Sequence, residues 1–161
     1  MKQLFSATAL VLALAGCARI EIRTAETIDA PREAVWAVLT DFDAYGEWNP
    51  YHVRVDGRPV QGSALSVQIQ RPDGQQVSID PHVMRVEPTR ELTWGGGIRG
   101  IFHGEHVMRL EDAPDGGTRL IHNEDFTGLF VGFADLPPDV LTEGYRRMNR
   151  ALKGRVEAAQ R

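Results

Sequence analysis

The sequence predicts one α+β domain in which a curved antiparallel sheet wraps around a long C-terminal helix. Three observations lead to this fold class. Apolar and polar residues alternate through much of residues 53–127, which is the pattern of strands with one buried face. A helical period of apolar residues runs through residues 141–159. The chain has 161 residues, of which 42% are hydrophobic and 25% charged, a size and composition typical of one globular domain.

The domain begins with a strand and a short helix. Ile20, Ile22 and Ile28 share one parity while charged residues take the other, which predicts a strand over residues 19–28. A proline then ends the strand and suits the first turn of a helix, which is predicted over residues 33–40. The segment that follows predicts an irregular or helical turn carrying Trp48.

Six or so further strands are predicted after this turn. Apolar alternation marks Val53 and Val55; Leu65, Val67 and Ile69; Val77 and Ile79; Val83 and Val86; and Leu92 and Trp94. Two longer strands follow at about residues 103–111 and 118–127, joined by the turn sequence Pro-Asp-Gly-Gly. A twisted meander of this length needs a helix to cover its concave face, and the amphipathic helix that starts near residues 137–139 provides one.

Residues 1–16 predict a signal peptide. Lys2 supplies one positive charge, and the apolar run of residues 4–14 is too short for the ~20 residues of a membrane-spanning helix. The sequence Leu-Ala-Gly-Cys of residues 14–17 resembles the lipobox of bacterial lipoproteins. That resemblance implies cleavage before Cys17 and lipidation of this cysteine. The alternative is an ordinary signal peptide that has a cysteine at its end by chance.

A lipoprotein would keep residues 17–19 as a lipidated anchor and short tether, ahead of a domain formed by residues 20–161. Ala18 is not acidic, which in lipoproteins is typical of the outer membrane, on its periplasmic side in a bacterium with two membranes. The membrane is thus a predicted partner, reached through the lipid anchor. Nucleic acid is not, because the formal net charge is −4. A single cysteine excludes an intrachain disulfide and a cysteine-rich metal site.

Three stretches resemble the START-like (SRPBCC) superfamily of helix-grip proteins, which includes the polyketide cyclase/dehydrase and lipid transport group and the plant pollen allergens. They are residues 28–31 with Val35 and Trp36, residues 48–50, and residues 116–120 with residues 124–128. The resemblance covers about residues 20–156. It implies a helix-grip fold with a cavity between the sheet and the C-terminal helix for apolar molecules such as lipids, polyketides or quinones. Some members are cyclases or dehydratases, but their catalytic residues do not map onto this sequence.

The two longest predicted strands place a polar cluster on their inward face. Alternation puts His106 on one strand and His122 and Glu124 on the other, all facing the core. With the turn at residues 115–116, antiparallel pairing sets His106 opposite Glu124 and Met108 opposite His122, within one register step.

This cluster has three possible functional roles. It can hold the polar end of a ligand, act as an acid–base pair formed by Glu124 with His106 or His122, or bind a metal. The alternative is structural, since buried polar groups must satisfy one another. We predict the ligand-binding role, with no metal and no cofactor.

Aromatic residues are predicted to complete the ligand site. Its expected members are Trp48, Trp94, His106, Met108, His122, Glu124, Phe126 and Tyr145. Trp36 is expected in the core. His52 and His82 are expected at the surface. The apolar segment of residues 128–133 predicts either a mobile lip over the cavity or a packing segment.

Two further patterns have simple interpretations. Residues 95–100 match the glycine spacing of a dinucleotide loop, but a strand rather than a helix is predicted after them, so we discard this motif. The basic residues of the last helix predict a solvated face, with an anionic membrane surface as the alternative.

The sequence therefore predicts an envelope lipoprotein that binds a hydrophobic small molecule or lipid, and it leaves enzymatic activity open. One alternative is a cyclase, dehydratase or hydrolase. A second alternative is a protein-interaction module whose cavity has no function.

Overall fold

The computed structural model describes residues 18–161, so the predicted signal peptide and Cys17 lie outside the described residues. The strands are β1 (Ala18–Ile28), β2 (His52–Asp56), β3 (Ser66–Gln70), β4 (Gln76–Ile79), β5 (His82–Glu87), β6 (Glu91–Ile98), β7 (Phe102–Asp112) and β8 (Thr118–Gly128). The helices are α1 (Arg32–Thr40), α2 (Tyr45–Trp48) and α3 (Pro138–Ala158), with 3₁₀ turns at Phe42–Ala44 and Val131–Phe133. Within residues 18–161, no helix has the length and hydrophobicity needed to cross a bilayer.

The strands form two antiparallel sheets that are joined at one edge. The larger sheet has the order β1-β8-β7-β6-β5, and the smaller has the order β2-β3-β4. A bridge between Ala64 and His82 links them, and Val83 donates its backbone N–H to the carbonyl of Ser63 at 2.9 Å. The strands thus make a continuous curved wall, as the predicted α+β helix-grip fold requires.

Helix α3 packs on the concave side of this wall. The predicted apolar stripe is buried from Leu141 to Val156, since Leu141, Tyr145, Met148, Leu152 and Val156 are each at most 4% exposed, whereas its last predicted member, Ala159, is exposed beyond the end of α3. The stripe contacts β1 and β8 and joins one continuous hydrophobic core. Burial of such a stripe supplies most of the stability of an amphipathic helix in a domain.

Strand β1 begins earlier than predicted. Ala18 and Arg19 were expected in the tether, but they pair with Gly128 and Thr127 of β8 as the first rungs of the sheet. The backbone hydrogen bonds of β8 therefore extend β1 to Ala18, one residue before its predicted start at Arg19. The division between tether and domain remains a prediction.

Gly144 lets α3 approach the start of β2. A Cβ placed on Gly144 would collide with the ring of Tyr51, which itself packs edge-on against Tyr145 at a centroid distance of 5.2 Å. Both aromatic rings are at most 2% exposed. A side chain at position 144 would therefore push the helix away from the wall.

Replacing Gly144 by Ala should destabilise the domain by about 1 to 3 kcal/mol, the usual cost of overpacking, although alanine is the better helix former. Urea unfolding measures the change. The matched control is Gly154→Ala on the exposed side of the same helix, where a Cβ meets nothing within 4 Å. That variant should gain about 1 kcal/mol. Equal effects of the two substitutions would contradict the packing argument.

Candidate functional site

A cavity of about 440 Å³ lies between the curved wall and the first half of α3. Most of the side chains that line it are apolar or aromatic: Tyr51, Ile69, Val77, Ile79, Pro81, Trp94, Phe102, Phe126, Leu136, Leu141 and Tyr145. The polar side chains of the lining are fewer: His52, Arg71, Asp80, His106, Glu124 and Asp135. An apolar cleft with few polar groups is typical of a small-molecule site.

Two glycines make room for this cavity. Gly96 of β6 and Gly104 of β7 face each other in the register, one rung away along the inward face from the pair formed by Trp94 and His106. Side chains there would fill the space, because the position of a Cβ on Gly104 is 3.2 Å from the ring of Phe126. The cavity thus results from two inward positions that carry no side chain.

The predicted polar cluster is part of a longer chain of hydrogen bonds. Glu124 Oε2 is 3.1 Å from His106 Nδ1, and His106 Nε2 is 2.9 Å from His122 Nε2. His122 Nδ1 is 2.6 Å from Asn149 Oδ1 on α3. Asn149 donates from Nδ2 to Thr24 Oγ1 at 3.0 Å, and Thr24 donates to the carbonyl of His122 at 2.8 Å. This series of hydrogen bonds runs from the cavity wall to α3 and on to β1.

The protons of this chain can point in only one direction when both imidazoles are neutral. Since Asn149 donates through Nδ2 to Thr24, its Oδ1 accepts the proton of His122 Nδ1. Neutral His122 then accepts at Nε2 from His106, whose Nδ1 is left as an acceptor. Glu124 is therefore protonated on Oε2, and this O–H donates a hydrogen bond to His106 Nδ1.

The electrostatics agree with this neutral chain. Burial, with the nearby charge of Asp125, raises the pKa of Glu124 to about 8. Burial lowers the pKa of His106 to about 3 and holds the pKa of His122 well below its ordinary value. At neutral pH the carboxyl is therefore a carboxylic acid and neither imidazole is charged.

The structure confirms the predicted register of β7 and β8. It places some of the predicted ligand-site residues in the cavity lining and others outside it. His106 lies opposite Glu124, and Met108 lies opposite His122. Five predicted members line the cavity, namely Trp94, His106, Glu124, Phe126 and Tyr145. Three do not: Met108 is fully buried in the core, His122 lies behind His106, and Trp48 packs on Tyr45 at a centroid distance of 5.0 Å.

The expected surface position of His52 is wrong. Its side chain is 2% exposed and lines the cavity, with its ring 5.1 Å from His106 and 5.6 Å from Trp94. A register shift between His52 and Arg54 changes the parity of β2, so that His52 and Val55 are both buried.

Two other cavity residues escaped the sequence analysis. Tyr51 lies just before β2, and burial raises the pKa of its phenol. Arg71 is 5% exposed and forms ion pairs with Asp73 at 2.7 Å and Asp135 at 2.8 Å. Arg71 thereby connects the β3–β4 turn to the segment that leads into α3. A buried arginine before a Pro-Asp-Gly turn has no periodic signal in the sequence.

The remaining expectations concern residues outside the polar chain. His82 is exposed and Trp36 packs partly buried against the core, as predicted. The strand β7 follows residues 95–100, so the glycine motif does not open a helix. Among residues 18–161, no three His, Cys, Asp or Glu side chains converge as metal ligands.

The curved sheet, the long helix and the cavity between them define a helix-grip domain. The chain belongs to the polyketide cyclase/dehydrase and lipid transport family, whose family model matches residues 19–157. Membership indicates either the binding of a hydrophobic molecule or cyclase-type activity. None of the curated proteins compared with this chain matches it.

Solved structures share the fold at low sequence identity. The Zhui aromatase/cyclase from Streptomyces sp. R1128 is 20% identical, with a TM-score of 0.70 over 89% of this chain and 97% of that chain. The protein of unknown function SA2116 from Staphylococcus aureus is 13% identical, with a TM-score of 0.67 over 89% and 97%. Ara h 8.0201 is 16% identical, with a TM-score of 0.64 over 88% and 99%. The match covers almost the whole of each of these chains.

Stability should fall between pH 6.5 and 8 because of Glu124. In this range unfolded Glu124 is ionised while the folded carboxyl keeps its proton, so folding takes up a proton and becomes less favourable as pH rises. The buried histidines His52, His106 and His122 partly oppose this change below about pH 7.5, because in the unfolded chain they still bind protons that they lose on folding. Relative to Glu124→Gln, in which the histidines act alone, we expect the unaltered protein to lose about 2 kcal/mol across the range, measured by urea unfolding.

Glu124→Gln should abolish this loss, because its amide donates to His106 as the carboxylic acid does and does not ionise. Glu111→Gln, at an exposed position of β7, is the control and should behave like the unaltered protein. A stability profile of Glu124→Gln that still falls across this range would show that another group is responsible.

Proposed function

We propose that this protein is a carrier that binds an apolar small molecule or lipid in the cavity, with its polar end hydrogen-bonded to Glu124. One observation supports the proposal above all others. A neutral carboxylic acid lies at the wall of a largely apolar cavity, held by a series of hydrogen bonds that reaches the core. The family supports the hydrophobic character of the ligand.

The geometry also indicates the chemistry of the polar end. Glu124 Oε2 is engaged with His106, whereas Oε1 lies toward Gly104 on the cavity side. The carbonyl-like Oε1 is an acceptor, so the best partner is a ligand that donates a hydrogen bond, such as an alcohol or a phenol. Trp94, Phe126 and Tyr145 would contact its apolar part. A volume of about 440 Å³ lies within the usual size range of small-molecule sites.

The cellular place of this carrier is part of the same proposal. The lipobox-like sequence before Cys17 supports a lipid anchor in a bacterial envelope membrane, which would be the outer membrane where two membranes exist. Two or more acyl chains, at ~0.8 kcal/mol per buried CH₂, would hold the domain stably at the surface.

Acid–base catalysis is the second candidate function. The observation that favours it is the connection of Glu124 to His106 and His122, which could deliver or remove a proton at the cavity wall. A carboxyl with a pKa of about 8 is suited to act as a general acid near neutral pH. This reaction would be of the cyclase, dehydratase or hydrolase kind.

Native mass spectrometry of residues 18–161, purified without denaturation, should detect one small molecule per chain. Extraction then identifies it, and we expect an apolar compound with a hydroxyl group. Gly96→Leu should reduce the occupancy strongly, because the side chain would occupy the cavity opposite Gly104. Gly154→Leu on the exposed face of α3 is the control and should keep the ligand.

An empty, folded protein that also takes up no member of a panel of lipids, quinones and polyketides would overturn the carrier proposal. Equal occupancy of the Gly96→Leu and Gly154→Leu variants would place the ligand elsewhere. A protein-interaction role with an unused cavity would then be the better explanation.

Substitutions of Glu124 separate binding from catalysis. Glu124→Ala removes the acceptor and should weaken the ligand about tenfold, as expected for one hydrogen bond worth about 1.5 kcal/mol. Glu124→Gln keeps an acceptor and the bond to His106, so binding should persist, measured by titration with the extracted ligand. If the purified protein also converts this ligand, the Gln variant should lose turnover while it keeps affinity. Turnover that survives in Glu124→Gln would exclude Glu124 as the acid.

A further inference from the structure

One end of the domain exposes a cluster of large apolar side chains. The cluster, called here the apolar tip, consists of Ile98, Ile101, Leu129, Phe130 and Phe133, with exposures of 64%, 46%, 50%, 55% and 86%. Among residues 18–161, the other exposed large apolar side chains are Val60 and Ile79. Monomeric soluble proteins rarely expose large contiguous apolar patches unless they bind a partner there.

The members of the apolar tip come from two adjacent segments. Leu129 donates its backbone N–H to the carbonyl of Gly100 at 3.1 Å, and Phe130 donates to Ile101 at 3.0 Å. The rings of Phe130 and Phe133 are 6.2 Å apart. The β6–β7 turn and the segment after β8 are thus held together, and the apolar tip is one surface.

The apolar tip borders the cavity. Gly97 and Phe102, which flank the β6–β7 turn, line the cavity, and so do the residues that follow Phe133, from Ala134 to Leu136. A surface that covers the apolar tip would therefore also lie next to the cavity.

The N-terminal end of the described chain emerges at the same place. Ala18 pairs with Gly128, the residue before Leu129, and its Cβ is 4.0 Å from the position of a Cβ on Gly132. Cys17 precedes Ala18 in the chain. A lipid anchor at Cys17 would therefore attach to the end of β1 that carries Ala18 and lies beside the apolar tip.

The charges near the apolar tip favour an anionic lipid surface. Arg99 lies in the turn between Ile98 and Ile101, is exposed, and has no ion pair within residues 18–161. Asp125, a nearby carboxylate on β8, is neutralised by Arg19 and Arg23. Basic side chains beside inserted apolar ones are typical of segments that lie in the membrane interface.

Two basic residues of α3, Lys153 and Arg155, are not part of this surface. Lys153 contacts the carbonyl of Thr27 and Arg155 pairs with Glu47, so they lie at the end of β1 opposite Ala18. An 11-residue strand separates the two ends by about 35 Å. Arg147 and Arg150 also share Glu143 as an ion-pair partner, which agrees with the predicted solvated face.

We propose that the apolar tip inserts into the interface of a phospholipid bilayer, with Arg99 at the level of the lipid phosphates. The lipid surface then adjoins the cavity, so an apolar ligand can pass between bilayer and cavity without crossing water. The orientation rests on the proposed anchor at Cys17, whereas the insertion itself depends on the apolar tip alone.

Co-sedimentation of residues 18–161 with vesicles of phosphatidylcholine and phosphatidylglycerol in equal parts tests this insertion. This unit lacks Cys17, so binding reports the apolar tip rather than an anchor. The double variant Phe130→Ser, Phe133→Ser should bind at least about tenfold more weakly, since two exposed aromatic side chains are lost. Val60→Ser, which removes an exposed apolar side chain elsewhere, should bind like the unaltered protein.

Arg99→Glu should weaken binding about fivefold or more on these vesicles, and much less on phosphatidylcholine alone, because an electrostatic contribution needs anionic lipid. The proposal is overturned if the unaltered domain does not bind the vesicles or if the double variant binds as well as Val60→Ser. If sedimentation equilibrium shows that the unaltered domain is a dimer and the double variant is a monomer, a second copy of the chain covers the apolar tip instead of a membrane. Gly96→Leu should bind vesicles normally, which separates this test from that of the carrier proposal.

Discussion

A buried carboxyl group must either lose its charge or pair with a cation. Among residues 18–161 no lysine or arginine forms an ion pair with Glu124, since Arg71 of the same cavity pairs with Asp73 and Asp135. The carboxyl O–H of Glu124 needs a hydrogen-bond acceptor, and His106 Nδ1 serves as one because the proton of His106 lies on Nε2, which donates a hydrogen bond to His122 Nε2. His122 can accept this bond because Asn149 and Thr24 determine its tautomer. The chain therefore ties β7 and β8 to α3 and β1, and a shift of any of these elements would leave a buried polar group without a partner.

The cavity depends on a second constraint, which is the absence of side chains at chosen positions. Gly96 and Gly104 leave space on the inward face of the wall, while Gly144 lets Tyr51 approach the helix. The same wall is closely packed one rung further on, where the ring of His106 stacks on Trp94 at 5.0 Å. Along β6 and β7 an open region at Gly96 and Gly104 is thus followed by a densely packed region at Trp94 and His106. The hydrogen-bonded polar residues begin at the boundary between these two regions.

The two ends of the domain have different surfaces. The end that carries the apolar tip borders the cavity and adjoins Ala18, whereas the end of α3 is covered by ion pairs such as that of Arg155 with Glu47. Because the exposed apolar side chains are concentrated at one end, the ligand of the proposed carrier would enter the cavity from that end. Arg71, paired with Asp73 and Asp135, holds the segment between the apolar tip and α3 in place.

The sequence by itself determined what depends on local periodicity and turn chemistry. The alternation around the Pro-Asp-Gly-Gly turn was sufficient to set His106 opposite Glu124, and a period of 3.6 residues located α3. The burial of individual side chains and the contacts between distant elements became evident only in the folded domain. A bulge reversed the parity of His52, Met108 was buried in the core rather than exposed to the cavity, and Asn149 reached His122 from a distant helix. Such contacts depend on how elements pack in three dimensions, which the periodicity of a single element does not encode.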